Sequence, residues 1–264
     1  MKVLILGAGY GTRLQRDLIH AEEYRHLRGI PKALLPLGDR DALITYWLQL
    51  FKEYGIGEDD IYIVTNDTCY PYFEAWAQRH EVSLGNIVSD GTTTNDTRLG
   101  AVPDISFALH HFHLNHDDIL IVGGDTLLLD DFSLDAFLSR VPTGPCLVAT
   151  YTVSDDQVSK VGIVETNPEG LITSFLEKPD PSQTTSRLAC PCFYLLRRDA
   201  LKYIDEFIAL CQANHEPKEA YDATGKLLSY LYPRFPILTF PIAGRIDVGN
   251  LQSYIEAHHY LLNK

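Results

Sequence analysis

Short apolar runs alternate along this chain with longer stretches whose apolar positions recur at helical spacing. Lys2–Gly7 reads as a buried strand, because Val3-Leu4-Ile5-Leu6 is continuously apolar and stops at Gly7. A helix is expected over 41–54, capped by Asp41 and ended by Gly55. Strands are expected at Ile61–Thr65, 86–88 and Ile119–Gly123. Helices are expected at Tyr70–His80, at 104–113 with Ile105, Leu109 and Phe112 on one face, and at 133–140 behind a Ser133 cap. Strands 146–153, 162–165, 171–177 and 189–196 follow, with an Asn167-Pro168-Glu169-Gly170 turn between two of them. The chain closes with helices 199–214 and 221–231, strand Ile237–Pro241 and helix Leu251–Leu262, whose stripe is Leu251, Tyr254, Ile255, His258 and Leu262. The fold class expected is α/β: a Rossmann-like mixed, mostly parallel sheet with helices on both faces.

The first strand runs into Gly7-Ala8-Gly9-Tyr10-Gly11-Thr12-Arg13-Leu14. A glycine-rich turn at the end of a buried strand brings backbone N–H groups close to phosphate oxygens, an approach that a Cβ would block. Arg13 and Lys32 add charge-assisted donors for anionic oxygens. This set suits a nucleoside triphosphate.

Charge sharpens the picture. The 264 residues carry a net −13, which disfavours non-specific binding of nucleic acid. Residues 1–40 hold seven Lys/Arg against four Asp/Glu, a net +3, and the remainder carries −16. Bases concentrated around a glycine loop in an acidic chain fit a small polyanion. The sequence contains no apolar run long enough to span a membrane and no signal-peptide pattern, so the expected location is cytoplasmic. The odd count of five cysteines argues against a disulfide framework, and all five are read as reduced. His110, His111, His113 and His116 read as a solvated helix face rather than a metal site.

The glycine turn, followed by Pro31-Lys32-Ala33-Leu34-Leu35-Pro36, resembles the sugar nucleotidyltransferases, the nucleoside-diphosphate-sugar pyrophosphorylases. The likeness continues in order through Gly123-Gly124-Asp125, Val161-Gly162-Ile163-Val164, Phe175-Leu176-Glu177-Lys178-Pro179 and Asp247-Val248-Gly249. It lies nearest the glucose-1-phosphate thymidylyltransferase and uridylyltransferase branch. The resemblance implies the nucleotide-diphospho-sugar transferase fold in a single domain over 1–264, with 1–145 as a nucleotide-binding half and 146–264 as a sugar-binding and completing half. The partners it implies are an NTP and a sugar 1-phosphate, with neither nucleic acid nor membrane; formation of a homo-oligomer stays open.

The implied reaction joins an NTP and a sugar 1-phosphate into an NDP-sugar and pyrophosphate. The nucleophile is a phosphate oxygen whose second pKa lies near ~6, so no general base is required. The task is to align two anions and offset their repulsion. By resemblance Arg13 contacts the β- and γ-phosphates and Lys32 the α-phosphate, as the catalytic pair. Gly7, Ala8, Gly9, Gly11 and Thr12 bind the nucleotide, and Gly100, in the polar loop 89–103, meets the base. Gly162, Glu177 and Lys178 bind the sugar phosphate. The resemblance also implies Mg²⁺ as cofactor, held by Asp125 and Asp247, two carboxylates sufficing beside phosphate oxygens.

The rival readings are a cytidylyltransferase acting on a phosphate such as phosphocholine and a silent nucleotide-sugar-binding homologue. A dinucleotide-dependent dehydrogenase fits poorly, because Thr12 stands where that fingerprint needs its third glycine. The stretch 15–30 is longer than the family commonly has, and Cys192 stands where the family has a glycine.

Overall fold

A computed structural model describes residues 1–129, 132–141 and 143–263. Its backbone separates into two compact units with interleaved boundaries. One comprises Leu4–Arg98, Gly123–Leu127 and Ile246–Lys264; the other comprises Met1–Val3, Leu99–Val122 and Leu128–Arg245.

In the first unit the strand β1 (Lys2–Gly7) leads through the glycine turn into the helix α1 (Thr12–Ile19), which sequence patterning did not reveal. Its Leu14 and Leu18 are buried, and Leu27 of the following 3-10 turn Glu22–Leu27 is buried with them, so much of the long 15–30 stretch is packed structure. The helix α2 (Leu43–Glu53), strand β2 (Ile61–Thr65), helix α3 (Tyr70–His80) and strand β3 (Ile87–Ser89) follow. The strand order is β3-β2-β1, with β2 and β3 parallel and Ile63 opposite Ile87. Trp47, Phe51, Phe73 and Trp76 fill the core between these helices and strands. Asp41 is not the cap of α2: that position is Ala42, without a side-chain hydrogen bond. The Asp41 carboxylate instead accepts from Thr45 Oγ1 at 2.7 Å and lies 2.9 Å from His80 Nε2 and 3.2 Å from Arg79 Nη2. A guanidinium holds a carboxylate more strongly than a neutral amide does, and here Arg79, with His80 beside it, ties the start of α2 to the end of α3.

The second unit starts with the helix α4 (Ala101–His111), which begins earlier than its apolar pattern suggests because Pro103 is tolerated in a first helical turn. Then come β4 (Ile119–Gly123), the short β5 (Thr126–Leu128), whose first two residues belong to the first unit, α5 (Leu134–Ser139), β6 (Cys146–Thr152), β7 (Gly162–Thr166), β8 (Ile172–Glu177), β9 (Leu188–Ala189), β10 (Phe193–Leu196), α6 (Arg198–Ala213), α7 (Thr224–Leu231) and β11 (Ile237–Pro241). Ser133 caps α5 as expected, its hydroxyl accepting from the Ala136 amide at 3.1 Å. The strand order is β4-β10-β6-β9-β7-β8, with β11 parallel to β6 and the other recorded pairs antiparallel, so the sheet is mixed. The single strand expected over 189–196 is two strands. Pro191 lacks the amide a ladder requires, and its carbonyl accepts from Phe193 N at 2.8 Å in a tight turn. The helix expected over 221–231 begins only at Thr224.

The chain ends with β12 (Arg245–Asp247), which pairs with β5, and α8 (Leu251–Leu262). The buried stripe of α8 is Tyr254, Ala257 and Leu261, whereas Leu262 is 56% exposed. Two contacts fix this rotation: Tyr254 donates to the Pro36 carbonyl at 2.9 Å, and Leu261 Cβ sits 2.7 Å from where a Cβ on Gly38 would stand. Among the described residues no helix is long and apolar enough to cross a membrane.

Candidate active site

The glycines of the turn have different reasons to be glycine. A Cβ on Gly7 would lie 2.6 Å from Phe73 Cζ, so Gly7 is demanded by packing. Gly9 has nothing within 4 Å of its missing Cβ and leaves its backbone open. Gly11 adopts φ 59, a left-handed conformation that admits glycine readily, and is the residue before α1. The turn is pinned from behind by Asn66, fully buried, whose Nδ2 donates to the Ala8 carbonyl at 2.9 Å. Tyr10 is joined to the 89–103 loop by a 2.8 Å hydroxyl contact with Thr92.

Lys32 lies across this turn. Its Cγ, Cε and Cδ are 3.2, 3.6 and 3.8 Å from the missing Cβ of Gly11. Its ammonium donates to Asp125 Oδ2 at 3.2 Å. Asp125 is delivered by the glycine pair before it: Gly124 N donates to the Leu6 carbonyl at 3.0 Å, and a Cβ on Gly124 would come within 2.7 Å of that oxygen. The ribbon of β5 and β12 then brings the second aspartate alongside, because Val248 N donates to the Asp125 carbonyl at 2.8 Å. Arg13 Nη2 and Asp247 Oδ1 lie 3.6 and 3.9 Å from one point, the missing Cβ of Gly249. Arg13, Lys32, Asp125 and Asp247 are thus assembled within one unit from four separate parts of the chain.

Two carboxylates, Asp125 in the turn before β5 and Asp247 at the end of β12, backed by Lys32 and Arg13, form a hard-oxygen donor set. It fits Mg²⁺, which keeps several waters and takes its other ligands from phosphate oxygens. Among the described residues no group of three or more His, Cys, Asp or Glu is placed to hold a metal, so a cation would depend on substrate oxygens. His110 contacts Asp205 Oδ2 at 2.8 Å on the surface of the other unit. All five cysteines are free thiols.

The residues expected to bind sugar gather in the second unit. Gly162 on β7 is directly opposite Glu177 on β8. Glu177 is only 18% exposed, and Lys178 Nζ is 3.8 Å from its Oε1. Burial pushes the Glu177 carboxyl above its ordinary value, and the cations of Lys178 and Lys226 offset part of that rise. Lys178 holds φ 50, a left-handed conformation that costs a non-glycine residue on the order of 1 kcal/mol. Such strain clusters at ligand sites. Gly100, also in this unit, has φ 104, and a Cβ on it would lie 2.6 Å from Asp222 Cβ; this contact accounts for its being glycine.

Three residues of this arrangement escaped sequence reasoning. Asn66 carries no local signal, since its role depends on β1 lying beside β2. Tyr10 was legible only as part of the glycine turn. Gly225, in the first turn of α7, is the most consequential: a Cβ there would lie 1.9 Å from Glu177 Oε2.

A family model described as nucleotidyl transferase matches residues 2–264. The chain belongs to this family. Over 213 residues it is 29% identical to the UTP–glucose-1-phosphate uridylyltransferase of Synechocystis sp., a match covering 77% of this chain and 51% of that protein. It is 30% identical over 146 residues to the glucose-1-phosphate adenylyltransferase of Thermomicrobium roseum, covering 55% of this chain and 32% of the relative. The chain therefore spans about half the length, or less, of these curated relatives. Among solved structures, the UTP-bound UDP-glucose pyrophosphorylase of Acinetobacter baumannii superposes with a TM-score of 0.71 at 19% identity, covering 100% of this chain and 94% of that one. The CTP:phosphocholine cytidylyltransferase of Streptococcus pneumoniae gives 0.68 at 15% identity, covering 98% of each. These likenesses establish the nucleotide-diphospho-sugar transferase fold.

Proposed function

We propose that this chain transfers a nucleotidyl group from an NTP to a sugar 1-phosphate, with UTP or dTTP as the preferred donor. An oxygen of the sugar phosphate attacks the α-phosphorus in line. The bond from that phosphorus to the bridging oxygen of the β-phosphate breaks, and pyrophosphate leaves. Being already ionised at neutral pH, the nucleophile needs no base. The protein supplies position and countercharge.

Lys32 turns from Asp125 toward the α-phosphate and balances its charge as the new bond forms. Arg13 takes the β- and γ-oxygens and steadies the departing pyrophosphate. The open backbone at Gly9, with Ala8, Gly11 and Thr12, receives the nucleotide phosphates. Gly100 and the 89–103 loop face the base. Gly162 and Glu177 take sugar hydroxyls, and Lys178 takes the sugar phosphate. Asp125 and Asp247 would hold Mg²⁺, which when bound draws charge from the phosphate oxygens.

The observation that carries this reading is the 3.2 Å pair of Lys32 and Asp125, placed beside Asp247 and Arg13 at the end of the glycine turn. The choice of a uridine donor is supported by the likeness to the Synechocystis uridylyltransferase, and the thymidine alternative rests on the resemblance of the glycine turn to that branch of the family. The test is pyrophosphate release with Mg²⁺ across all NTPs, each paired with a panel of sugar 1-phosphates and with phosphocholine. Release confined to one NTP with one sugar phosphate, and abolished in Asp125→Asn, supports the proposal. Release only with CTP and phosphocholine replaces it with the cytidylyl reading, and nucleotide binding without release replaces it with a silent binding protein.

A further inference from the structure

We infer that Gly225 is a positioning residue of the acceptor site: the side chain it lacks is the slot that holds the Glu177 carboxylate in place. The inference deepens the proposed function, since it takes Glu177 to be a sugar contact. A Cβ on Gly225 would stand 1.9 Å from Glu177 Oε2 and 2.9 Å from its Cδ; one on Gly162 would stand 3.2 Å from the same Oε2. The carboxylate therefore occupies room left by two missing side chains, one on β7 and one on α7, and Gly225 makes much the closer approach. The Phe175 ring shares these gaps, with Cε1 2.9 Å from both missing Cβ positions. Phe175 and Glu177 are two residues apart on β8, so both point to one face and enter one slot.

The first turn of a helix is a costly place for glycine unless something requires it, because alanine is the better helix former. Nor is α7 free to move off. Ser229 Oγ donates to the Phe175 carbonyl at 3.0 Å, and Thr224 Oγ1 is 3.1 Å from the Tyr194 hydroxyl. Lys226 Nζ donates to the Glu219 carbonyl. With α7 tied to β8 and β10, a side chain at 225 must displace the carboxylate. A carboxylate held in one rotamer meets a hydroxyl without first losing its own freedom, which is how a supporting residue adds to affinity.

The test is Gly225→Ala, compared in the native and Glu177→Ala backgrounds. In the native background the KM for sugar 1-phosphate is expected to rise roughly 10- to 100-fold, the loss of a hydrogen bond to a charged group, while KM for the NTP stays unchanged. In the Glu177→Ala background the same substitution is expected to add only what the Phe175 contact costs, a smaller rise that is common to both backgrounds and cancels in their difference. An equal effect in both, or no effect in either, overturns the inference. If Gly225→Ala alone does not fold, its recovery by Glu177→Ala supports the slot, and failure of both overturns it. A readout independent of turnover is the titration of the Glu177 carboxyl by ¹³C NMR: Gly225→Ala is expected to lower its pKa toward the ordinary range, and an unmoved value overturns the slot. Absence of transfer by the unaltered protein overturns the proposed function instead, and the titration still decides whether Gly225 seats the carboxylate.

Discussion

Lys32 and Asp125 are 93 residues apart in sequence and 3.2 Å apart in the fold, with Lys32 only 16% exposed and Asp125 37%. Neither is placed for stability alone. A partly exposed ion pair of this kind contributes little to folding, and under the proposed function its ammonium moves onto the α-phosphate. Lys32→Ala is therefore expected to lower kcat by about 100- to 1000-fold, the usual loss for one preorganised donor to a developing charge, with Tm little changed. Steady-state kinetics with a thermal melt checks this; a large fall in Tm with kcat retained contradicts it.

The glycines of the turn separate by role. Gly7→Ala forces a Cβ to 2.6 Å from Phe73 Cζ and 3.3 Å from the Val64 carbonyl, and is expected to destabilise the fold by about 1–3 kcal/mol through overpacking. Gly9→Ala meets nothing within 4 Å and is expected to leave stability intact while weakening NTP binding. Denaturant unfolding and nucleotide titration of the two variants check the contrast.

This difference marks what was legible in the sequence. The strand–glycine–Arg13 run, the Gly-Gly-Asp125 strand end and the Glu177-Lys178 pair could be read because each is local: a few adjacent residues carry both backbone shape and chemistry. Strands β1, β2, β4 and β11 and helices α3 and α8 were found with correct bounds for the same reason. The rest depends on pairings distant in sequence. The reason for glycine at 7 is Phe73, that at 100 is Asp222, and that at 225 is Glu177. Asp41 looks like a cap until His80 and Arg79 are brought beside it. The ribbon of β5 and β12 is too short to show a period, yet it joins the two aspartates.

Arg197 is a structural clasp rather than an anion binder. It is buried, donates to Asp118 Oδ2 at 2.8 Å and to the Pro145 carbonyl at 3.0 Å, and also reaches the Val141 carbonyl. Arg197→Ala removes one partner of a buried pair and strands two carbonyls, and is expected to cost about 3–5 kcal/mol. Burial alone would raise the Asp118 carboxyl, but the Arg198 amide and the Arg197 guanidinium outweigh it and hold it below the ordinary value. A depressed folded-state pKa gives stability that is present above the unfolded pKa and lost as pH falls through the folded one. Acid unfolding of Arg197→Ala is thus expected to lose part of the acid dependence due to Asp118, the Arg198 amide keeping the remainder, checked by urea melts between pH 3 and pH 6 (roughly the carboxylate window).

Glu177 has the opposite sign. Its folded-state carboxyl is raised by burial, so ionising it costs stability as pH rises through that value. Binding sugar hydroxyls calls for the charged form as acceptor. Affinity for the sugar phosphate is then expected to fall on acidification at a pH above the ordinary glutamate range, and Glu177→Gln is expected to lose that limb while keeping the one from the substrate phosphate. Comparison of the two pH profiles of kcat/KM checks this; identical limbs contradict it.

The most direct test of the account follows the α-phosphorus itself. Each NTP, labelled at that position, is incubated with a panel of sugar 1-phosphates, Mg²⁺ and the protein, and the products are separated. The account predicts label in an NDP-sugar, formed in step with unlabelled pyrophosphate and lost in Lys32→Ala and Asp125→Asn. Label that stays in the NTP, or emerges as free NMP, contradicts nucleotidyl transfer to a sugar.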